Sequence, residues 1–386
     1  MTALRTTEGF SFTITASDRR TGARTGVLAT PHGEVATPCF MPVATQATVK
    51  AMTPEEVAGL GYRMVLANAY HLWLRPGVEV ISAAGGLHRF MGWDGAILTD
   101  SGGYQVMSLG KDVRITPEGA SFRSHLDGSK VFLSPEDSMR IQSALGADVA
   151  MALDECLPFP AERGRVERSL DLNLDWARRC LAAHDNTRQA LFGIVQGGSY
   201  ADLRASSAAR MAEVDFPGYG LGGLSVGEPR ELMGEMIDLS LAELPPEKPR
   251  YLMGVGDPLG LAQSVARGVD LFDSVLPTRI ARNSSALVAS GRMNLRNAAY
   301  RDDPRPLDEN CGCYACRSFS RAYLRHLVMA KEILGFHLLT VHNLFQLEKL
   351  TGDLRAAVAS QSVDTLLDSL KAGGSNDKGN VILYDS

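Results

Sequence analysis

The segment CGCYAC near the C-terminus brings three cysteines, Cys311, Cys313 and Cys316, within six residues of one another. The other three cysteines of the chain lie far from this segment. Three thiols cannot all pair as internal disulfides, and thiolates this close together are typical zinc ligands. A structural zinc site needs four ligands, so we predict that a residue from another element completes the site.

Histidines that follow the cysteine segment are the candidates for the fourth ligand. His342 and His337 are both available for this role, whereas His326 is expected to face solvent or the core. Four protein ligands leave the metal no open position for water or substrate. The cysteine segment therefore predicts a structural metal site rather than a catalytic centre or a disulfide.

A second group of polar residues stands where apolar, strand-like runs end. It contains Asp100 in LTDSGGYQ, Asp154 in MALDEC, Gln196 in FGIVQGG and Asp273 in LFDSVLP. Glycines accompany most of them, and glycines let backbone N–H and C=O groups approach a flat ligand closely. The pattern predicts a pocket that contains three carboxylates and an amide.

An aspartate at a strand end also has a structural interpretation, because it is a good N-cap for a following helix. This alternative applies to Asp100 and Asp154 taken singly. Asp273 fits it less well, since the apolar stretch SVLP follows and no helix is expected to begin there. A carboxylate in so apolar a run is expected to be buried, and buried carboxylates usually have a partner or a task.

The elements that must position these residues follow a regular rhythm from residue 38 to 277. Most of the strand-like runs precede an amphipathic helical segment, and one such helix has a clear start in Ser134–Asp137 and a stop in Gly146. Nearly continuous apolar runs are typical of parallel strands buried on both faces. Eight of them match the size of a TIM barrel, whose strand ends carry the active site. The runs are PCFMPV, RMVLANAY, AILTDSG, DVAMALDE, ALFGIVQG, GYGLGGLS, RYLMGVG and LFDSVLP.

Additions interrupt this rhythm, so we predict an irregular (β/α)8 barrel. The stretches FSFTITA, RTGVLAT and EVATP indicate an N-terminal antiparallel ribbon across the barrel bottom, and SFRSHLDGSKVFL indicates a hairpin. The predicted domains are the barrel with its β extension (1–280), a zinc-binding insertion (281–350), and the final barrel helix with a tail (351–386). The polar stretch GGSNDKGN in that tail is expected to be mobile.

Composition indicates a globular protein, with 45% hydrophobic and 22% charged residues among 386. No apolar run approaches the roughly 18 residues that span a bilayer, and the opening lacks the apolar core of a signal peptide. We therefore expect a cytoplasmic protein without a membrane partner. The net charge of −5 argues against a surface that is positive all round. Residues 279–305 nevertheless contain six arginines against two aspartates, which indicates either a solvated face or a local surface for RNA.

Seven motifs, taken in order, are similar to those of one enzyme family. LTDSGGYQVMSLG, MALDEC, FGIVQGG, GLGGLSVGE, YLMGVG, FDSVLPTR and CGCYAC with its later histidine resemble the bacterial tRNA-guanine transglycosylases, from about residue 10 to 370. The resemblance implies an exchange of the guanine at the wobble position of four tRNAs, those that carry aspartate, asparagine, histidine and tyrosine. The incoming base is 7-aminomethyl-7-deazaguanine, in queuosine biosynthesis. It also implies one structural zinc, no organic cofactor and a homodimer.

The resemblance assigns roles to the polar residues. Asp273 becomes the nucleophile of a double displacement, Asp100 the acid and base, and His342 the fourth zinc ligand. Arg279 and Arg282 would contact the RNA. The remaining residues would bind the base, although Met253 also suits a core position. They are Tyr104, Asp154, Cys156, Gln196, Gly222, Gly223, Leu224, Val226, Met253 and Gly254.

Two other functions stay open at this point. A non-catalytic tRNA-binding subunit that is stabilised by zinc would share the metal site and the arginines, but it has no need of both Asp100 and Asp273. A barrel glycosidase would explain the two carboxylates but neither the zinc insertion nor a purine pocket. Turnover of tRNA against an oligosaccharide separates these possibilities.

Overall fold

The computed structural model describes residues 7–373. In chain order, the strands are β1 (Ser11–Ser17), β2 (Arg24–Thr30), β3 (Gly33–Thr37), β4 (Cys39–Ala44), β5 (Met64–Ala67), β6 (Ala96–Thr99), β7 (Lys111–Thr116), β8 (Gly119–Arg123), β9 (Lys130–Leu133), β10 (Val149–Met151), β11 (Ala190–Val195), β12 (Gly218–Leu221), β13 (Arg250–Leu252), β14 (Leu271–Ser274), β15 (Ser285–Val288) and β16 (Gly291–Asn294). The α-helices are α1 (Pro54–Gly59), α2 (Ala69–Leu74), α3 (Val78–Ala83), α4 (Leu87–Met91), α5 (Gly103–Leu109), α6 (Pro135–Leu145), α7 (Arg163–Ala183), α8 (Ala201–Ala212), α9 (Arg230–Glu243), α10 (Pro258–Val265), α11 (Leu276–Arg282), α12 (Tyr314–Ser318), α13 (Arg321–Met329), α14 (Ile333–Ala359) and α15 (Val363–Gly373).

Eight parallel strands close into a barrel in the order β4, β5, β6, β10, β11, β12, β13 and β14, with β14 beside β4. These are the eight apolar runs, so the predicted fold class is confirmed. Strands such as β4 and β11 are buried along their whole length because helices cover one face and the barrel interior the other. Met41, Leu66, Leu98 and Phe192 belong to one buried cluster in that interior.

The N-terminal strands β1, β2 and β3 form the antiparallel ribbon that the sequence predicts. Leu28 and Val35 belong to the same buried cluster as the barrel interior. Arg24 in β2 pairs with Asp270, just before β14, through bonds of 2.9 Å from Nε to Oδ1 and 2.6 Å from Nη2 to Oδ2. The ribbon therefore closes the barrel at the amino ends of its strands.

Helix α6 shows how local sequence sets an element's ends. Ser134 accepts the Asp137 N–H at 3.0 Å, and the Asp137 carboxylate accepts the Ser134 N–H at 3.0 Å. Pro135 stands in the first turn, and Gly146 ends the helix in the left-handed conformation at φ 74°. Both predicted ends are confirmed.

An antiparallel sheet of β7, β8 and β9 interrupts the barrel between β6 and β10. The pair β8 and β9 is the predicted hairpin, and Gly128 in its turn has φ 75°. Strand β7 is an addition to the prediction. Its sequence, KDVRIT, is mostly polar and its residues are exposed or half-buried, so no apolar run marks it.

The C-terminal region departs from the expectations at two places. Helix α11 begins at Leu276, where the sequence was expected to start no helix, and Pro277 stands in its first turn. Helix α14 continues without a break from Ile333 to Ala359, so the domain boundary predicted at residue 350 falls inside a helix. The tail from residue 374 onward lies outside the described residues. Within residues 7–373 no helix is long and apolar enough to cross a membrane.

Candidate active site and metal centre

Asp273 lies in β14 at the carboxyl end of the barrel. Its Oδ1 accepts two hydrogen bonds, from the Tyr251 hydroxyl at 2.6 Å and from the Gly254 N–H at 2.9 Å. Burial raises the pKa of Asp273, while these two bonds lower it. The side chain is thus held in one orientation by neighbours that favour its ionised form.

Asp100 follows β6 and faces the same end of the barrel. Its Oδ1 accepts the Ala69 N–H at 2.8 Å, and its Oδ2 accepts a short hydrogen bond from the Asn68 amide. Burial raises the pKa of Asp100 to about 6, against the effect of these two bonds, and the charge of Asp273 adds to the increase. A carboxyl group with such a pKa can both donate and accept a proton near neutral pH.

None of the three strand-end aspartates caps the next helix. Gly102 stands at the N-cap of α5 after Asp100, Glu162 at that of α7 after Asp154, and Val275 at that of α11 after Asp273. The expectation about Asp273 was wrong in its reason, because a helix does begin shortly after it. It was right in its result, because the carboxylate bonds to Tyr251 and Gly254 instead.

Asp154 and Gln196 form a hydrogen-bonded pair at the same end of the barrel. The Asp154 Oδ1 accepts the Ser101 hydroxyl at 2.8 Å, and its Oδ2 accepts the Gln196 amide at 2.7 Å. Both side chains are buried. Burial raises the pKa of Asp154, whereas the bonds from Ser101 and Gln196 lower it.

Three glycines are required by close approaches to Asp154 and Gln196. A Cβ on Gly103 would lie 2.3 Å from the Asp154 carbonyl oxygen. A Cβ on Gly222 would lie 2.6 Å from Gln196 Nε2, and one on Gly223 would lie 2.3 Å from Gln196 Oε1. Gly223 also has φ +65°, which disfavours a side chain.

Cys156 and Tyr104 lie close to each other, and Cys156 also lies close to Asp154. Burial raises the pKa of the Cys156 thiol, the charges of Asp154 and Glu155 raise it further, and the N–H of Gly223 acts against them. The thiol is therefore neutral and is unsuited to act as a nucleophile. Burial raises the pKa of Tyr104 to about 12, and Cys156 is among the neighbours that affect it.

The other predicted base-site residues lie at different depths. Leu224 is buried, and Val226 lines a cavity together with Gln196 and Gly223. Met253 is half-buried and packs against the barrel interior. Gly254 lies beside Asp273, because its N–H donates to that carboxylate.

The arginines after β14 divide into two groups. Arg279 and Arg282 both lie in α11. Burial lowers the pKa of Arg282, and the nearby charge of Arg279 lowers it further. Arg305 instead pairs with Asp303 through bonds of 2.9 and 2.8 Å. Arg321 contributes a further bond to the same carboxylate at 3.1 Å. Arg305 is thus engaged within the fold, but Asp303 is already included in the count for residues 279–305, so the positive surplus is unchanged.

The three cysteines of CGCYAC and His342 converge in the interior. His342 Nδ1 lies 3.6 Å from the Sγ of Cys311, 3.5 Å from that of Cys313 and 3.3 Å from that of Cys316. Ligand atoms around tetrahedral zinc stand about 3.6 Å apart for this sulfur and nitrogen pair. The buried Cys3His group therefore fits one tetrahedral metal ion.

The surroundings of His342 distinguish it from the other two histidines. Its Nε2 donates to the Leu287 carbonyl at 2.6 Å, which leaves Nδ1 unprotonated for a metal. His337 contacts the Ala51 carbonyl at 2.7 Å and Glu56 at 3.1 Å, so its ring is engaged elsewhere. His326 lies in α13 and is not part of the Cys3His group.

Several residues of the site are not evident from the sequence pattern. Tyr251 and Asn68, which hold the two carboxylates, and Arg204, which binds the backbone behind Gln196, were not among the predicted site residues. A signal existed for Asn68, a polar residue at the end of the apolar run MVLA. No comparable signal marks Arg204, since it lies within a helix far along the chain from the loops that it binds.

Comparison with known proteins agrees with this geometry. A family model described as queuine tRNA-ribosyltransferase matches residues 18–373. A queuine tRNA-ribosyltransferase of Pelotomaculum thermopropionicum is 60% identical over 348 residues, covering 90% of this chain and 94% of that protein. Proteins of the same name from Moorella thermoacetica and Staphylococcus aureus are 57% and 55% identical, covering 90% and 91% of this chain and 94% and 92% of their own lengths. The chain belongs to the queuine tRNA-ribosyltransferase family.

Proposed function

We propose that this protein is a tRNA-guanine transglycosylase. It replaces guanine at the wobble position with 7-aminomethyl-7-deazaguanine, in queuosine biosynthesis. Its substrates are the tRNAs that carry aspartate, asparagine, histidine and tyrosine. The observation that carries the proposal is the pair Asp100 and Asp273 beside the Asp154 and Gln196 pocket, with the pKa of Asp100 raised to about 6. The names of the relatives support the same activity.

The proposed reaction is a double displacement. A carboxylate oxygen of Asp273 attacks the anomeric carbon of the ribose, the glycosidic C–N bond breaks, and its electron pair leaves with guanine. Asp100 gives a proton to the departing base and later removes one from the incoming base. The nitrogen of the new base then displaces Asp273, so two inversions give retention at the sugar.

Recognition of the base follows from hydrogen-bond complementarity. Asp154 accepts the adjacent N–H donors of the pyrimidine ring, while Gln196 and the Gly223 N–H donate to its carbonyl oxygen. The Leu224 carbonyl accepts the aminomethyl group, and the ring lies between Tyr104 and Met253. Val226 and Cys156 narrow the pocket, which favours 7-aminomethyl-7-deazaguanine over the bulkier queuine.

The partners and the metal complete the proposal. Arg279 and Arg282 hold the RNA strand on either side of the flipped-out guanine, because both lie in the helix after the nucleophile. Zinc held by the Cys3His group ties CGCYAC to α14, and with four protein ligands it serves structure alone. A homodimer in the cytoplasm is proposed, in which one subunit catalyses and the other helps to hold the tRNA.

Incorporation of labelled guanine into unmodified tRNA tests the activity. The wild-type protein should incorporate label, and Asp273→Asn should not, while Asp257→Asn, at the cap of α10, should behave as the wild type. The wild type should also form a tRNA adduct that survives denaturation, and Asp273→Asn should form none. Binding of tRNA by a folded wild type without incorporation would instead indicate a non-catalytic tRNA-binding subunit.

A further inference from the structure

Arg204 in α8 has a fully buried side chain behind the base pocket. A buried guanidinium usually pairs with a carboxylate, because an isolated charge is costly to remove from water. Among residues 7–373, no carboxylate forms an ion pair with Arg204, although the charge of Glu228 acts on it. Burial lowers the pKa of Arg204 to about 10, so the side chain stays charged at neutral pH.

The guanidinium binds backbone carbonyl groups instead. Nη1 donates to the Gly222 oxygen at 2.9 Å and to the Val195 oxygen at 3.3 Å, and Nη2 donates to the Gly198 oxygen at 2.8 Å. These carbonyls belong to the ends of β11 and β12, the two segments that carry Gln196 and Gly223. One charged group therefore fixes two loops of the pocket to each other.

The approach of α8 to these loops depends on a glycine. A Cβ on Gly197 would lie 2.7 Å from the Arg204 Cα and 2.8 Å from its nitrogen. Gly197 also has φ +133°, a conformation that other residues rarely adopt. The backbone here is shaped to admit Arg204 beneath the pocket.

The bond to Gly222 matters for chemistry because of the peptide group to which it belongs. The Gly222 carbonyl and the Gly223 N–H are the two ends of one peptide unit. A carbonyl that accepts a hydrogen bond from a cation polarises its peptide, and the N–H becomes a stronger donor. That N–H lies close to the buried Cys156 thiol, whose pKa it lowers.

We infer that Arg204 is a positioning residue of base exchange, which polarises the Gly222–Gly223 peptide so that the Gly223 N–H binds the carbonyl oxygen of the base. The inference rests on the proposed function. The hydrogen bond from the Gly223 N–H to the base strengthens as the glycosidic bond breaks, because negative charge then grows on the base and its carbonyl oxygen. Arg204 acts through the backbone and does not touch the base.

The test compares two bases on three variants. Arg204→Met removes the charge at similar length, Arg204→Lys keeps a charge without the fork of donors, and Arg250→Met is the matched control. Arg250 is also buried and binds a carbonyl, that of Gly268, at the opposite end of the barrel. For each protein, kcat and KM for guanine exchange are measured, together with the inhibition constants of guanine and of 2-aminopurine, which lacks the carbonyl oxygen.

We expect Arg204→Met to lower kcat by about 10-fold or more and to weaken the binding of guanine more than the binding of 2-aminopurine. Arg204→Lys should lie between Arg204→Met and the wild type, and Arg250→Met should not distinguish the bases. If the binding of both bases is weakened equally, or of neither, the inference is overturned. If Arg204→Met does not fold, the result for Arg204→Lys alone decides. Failure of the wild type to exchange guanine would instead refute the proposed function.

Discussion

At the scale of single residues, Asp100 and Asp273 occupy similar depths but have different hydrogen-bond partners. Asp273 accepts a hydroxyl and a backbone N–H on one oxygen, whereas Asp100 accepts an amide and a backbone N–H on separate oxygens. Only Asp100 has the charge of the other aspartate among the causes that raise its pKa. Two neighbouring carboxylates with unequal proton affinities are what a division into acid and nucleophile requires.

The raised pKa of Asp100 predicts a pH dependence of stability. The folded protein binds this proton more tightly than the unfolded chain, whose aspartates titrate near 3.8, so the stabilisation is complete below that pH and is lost as pH rises through about 6. Between pH 5 and 7.5, the free energy of unfolding should fall by about 1 kcal/mol more in the wild type than in Asp100→Asn. Urea unfolding measures this, with exposed Asp94→Asn as control; equal slopes in wild type and Asp100→Asn would contradict it.

At the scale of elements, the ends of β11 and β12 form the proposed base pocket, because glycines allow the Gln196 side chain to lie against the neighbouring strand end. Gln196 after β11 lies where any side chain on Gly222 or Gly223 would stand. The position of Gln196 then decides that of Asp154, to which it donates. The pocket is therefore a property of two strand ends together.

Gly223→Ala should disrupt this arrangement. The new Cβ would meet Gln196 Oε1 at 2.3 Å and would turn the amide away from Asp154, so the affinity for guanine should fall by about 10-fold or more. The control is Gly92→Ala, because Gly92 has nearly the same φ, +66°, with no atom within 4 Å of a Cβ. Both variants should lose about 1 kcal/mol of stability from backbone strain. Calorimetric guanine affinity that is equal in the two variants would count against the pocket geometry.

The Cys3His group is the second feature at this scale. His342 reaches it from α14, and the three cysteines reach it from the segment around α12. A bound ion would link these elements directly and so stabilise their packing. Leu324, Leu327 and Leu338 share the buried cluster that contains the cysteines.

Cys313→Ala should release the metal and loosen this region. We expect the variant to contain less than one equivalent of zinc and to unfold about 5 to 10 °C lower than the wild type. Elemental analysis and calorimetry measure both quantities, and Cys39→Ala, at a buried cysteine in β4, should keep its metal. A variant at Cys313 with full zinc content would show that the Cys3His group is not the metal site.

The sequence predicts the elements with local signals and misses those without them. The eight barrel strands are nearly continuous apolar runs, and α6 has a capping box, so both are found from the sequence. Strand β7 is polar, and α14 joins two predicted regions because nothing in its sequence stops the helix at residue 350. In the site, the aspartates are predictable from their strand ends. Arg204 is not, because its contacts depend on how α8 lies against two distant loops.

At the scale of the whole molecule, apolar side chains remain exposed around α13 and α14. Ile333 is 79% exposed and Met329 is 52% exposed, next to Tyr323 and Leu334. Leu324 and Leu327, on the other side of α13, are buried in the cluster that contains the three cysteines of CGCYAC. A surface of this kind is typical of an interface, and a second copy of the chain is the partner that we propose for it.

Charges placed in this surface should separate the proposed dimer. The double variant Met329→Glu and Ile333→Glu would place two unpaired carboxylates in an interface between copies. Removing these charges from water costs free energy that would oppose association of the subunits. We expect sedimentation to show a dimer for the wild type and a monomer for the variant. Both proteins should contain equal zinc, because neither residue belongs to the Cys3His group. Ile14→Glu, at an exposed residue of β1, should remain dimeric, and a double variant that also stays dimeric would place the interface on another surface.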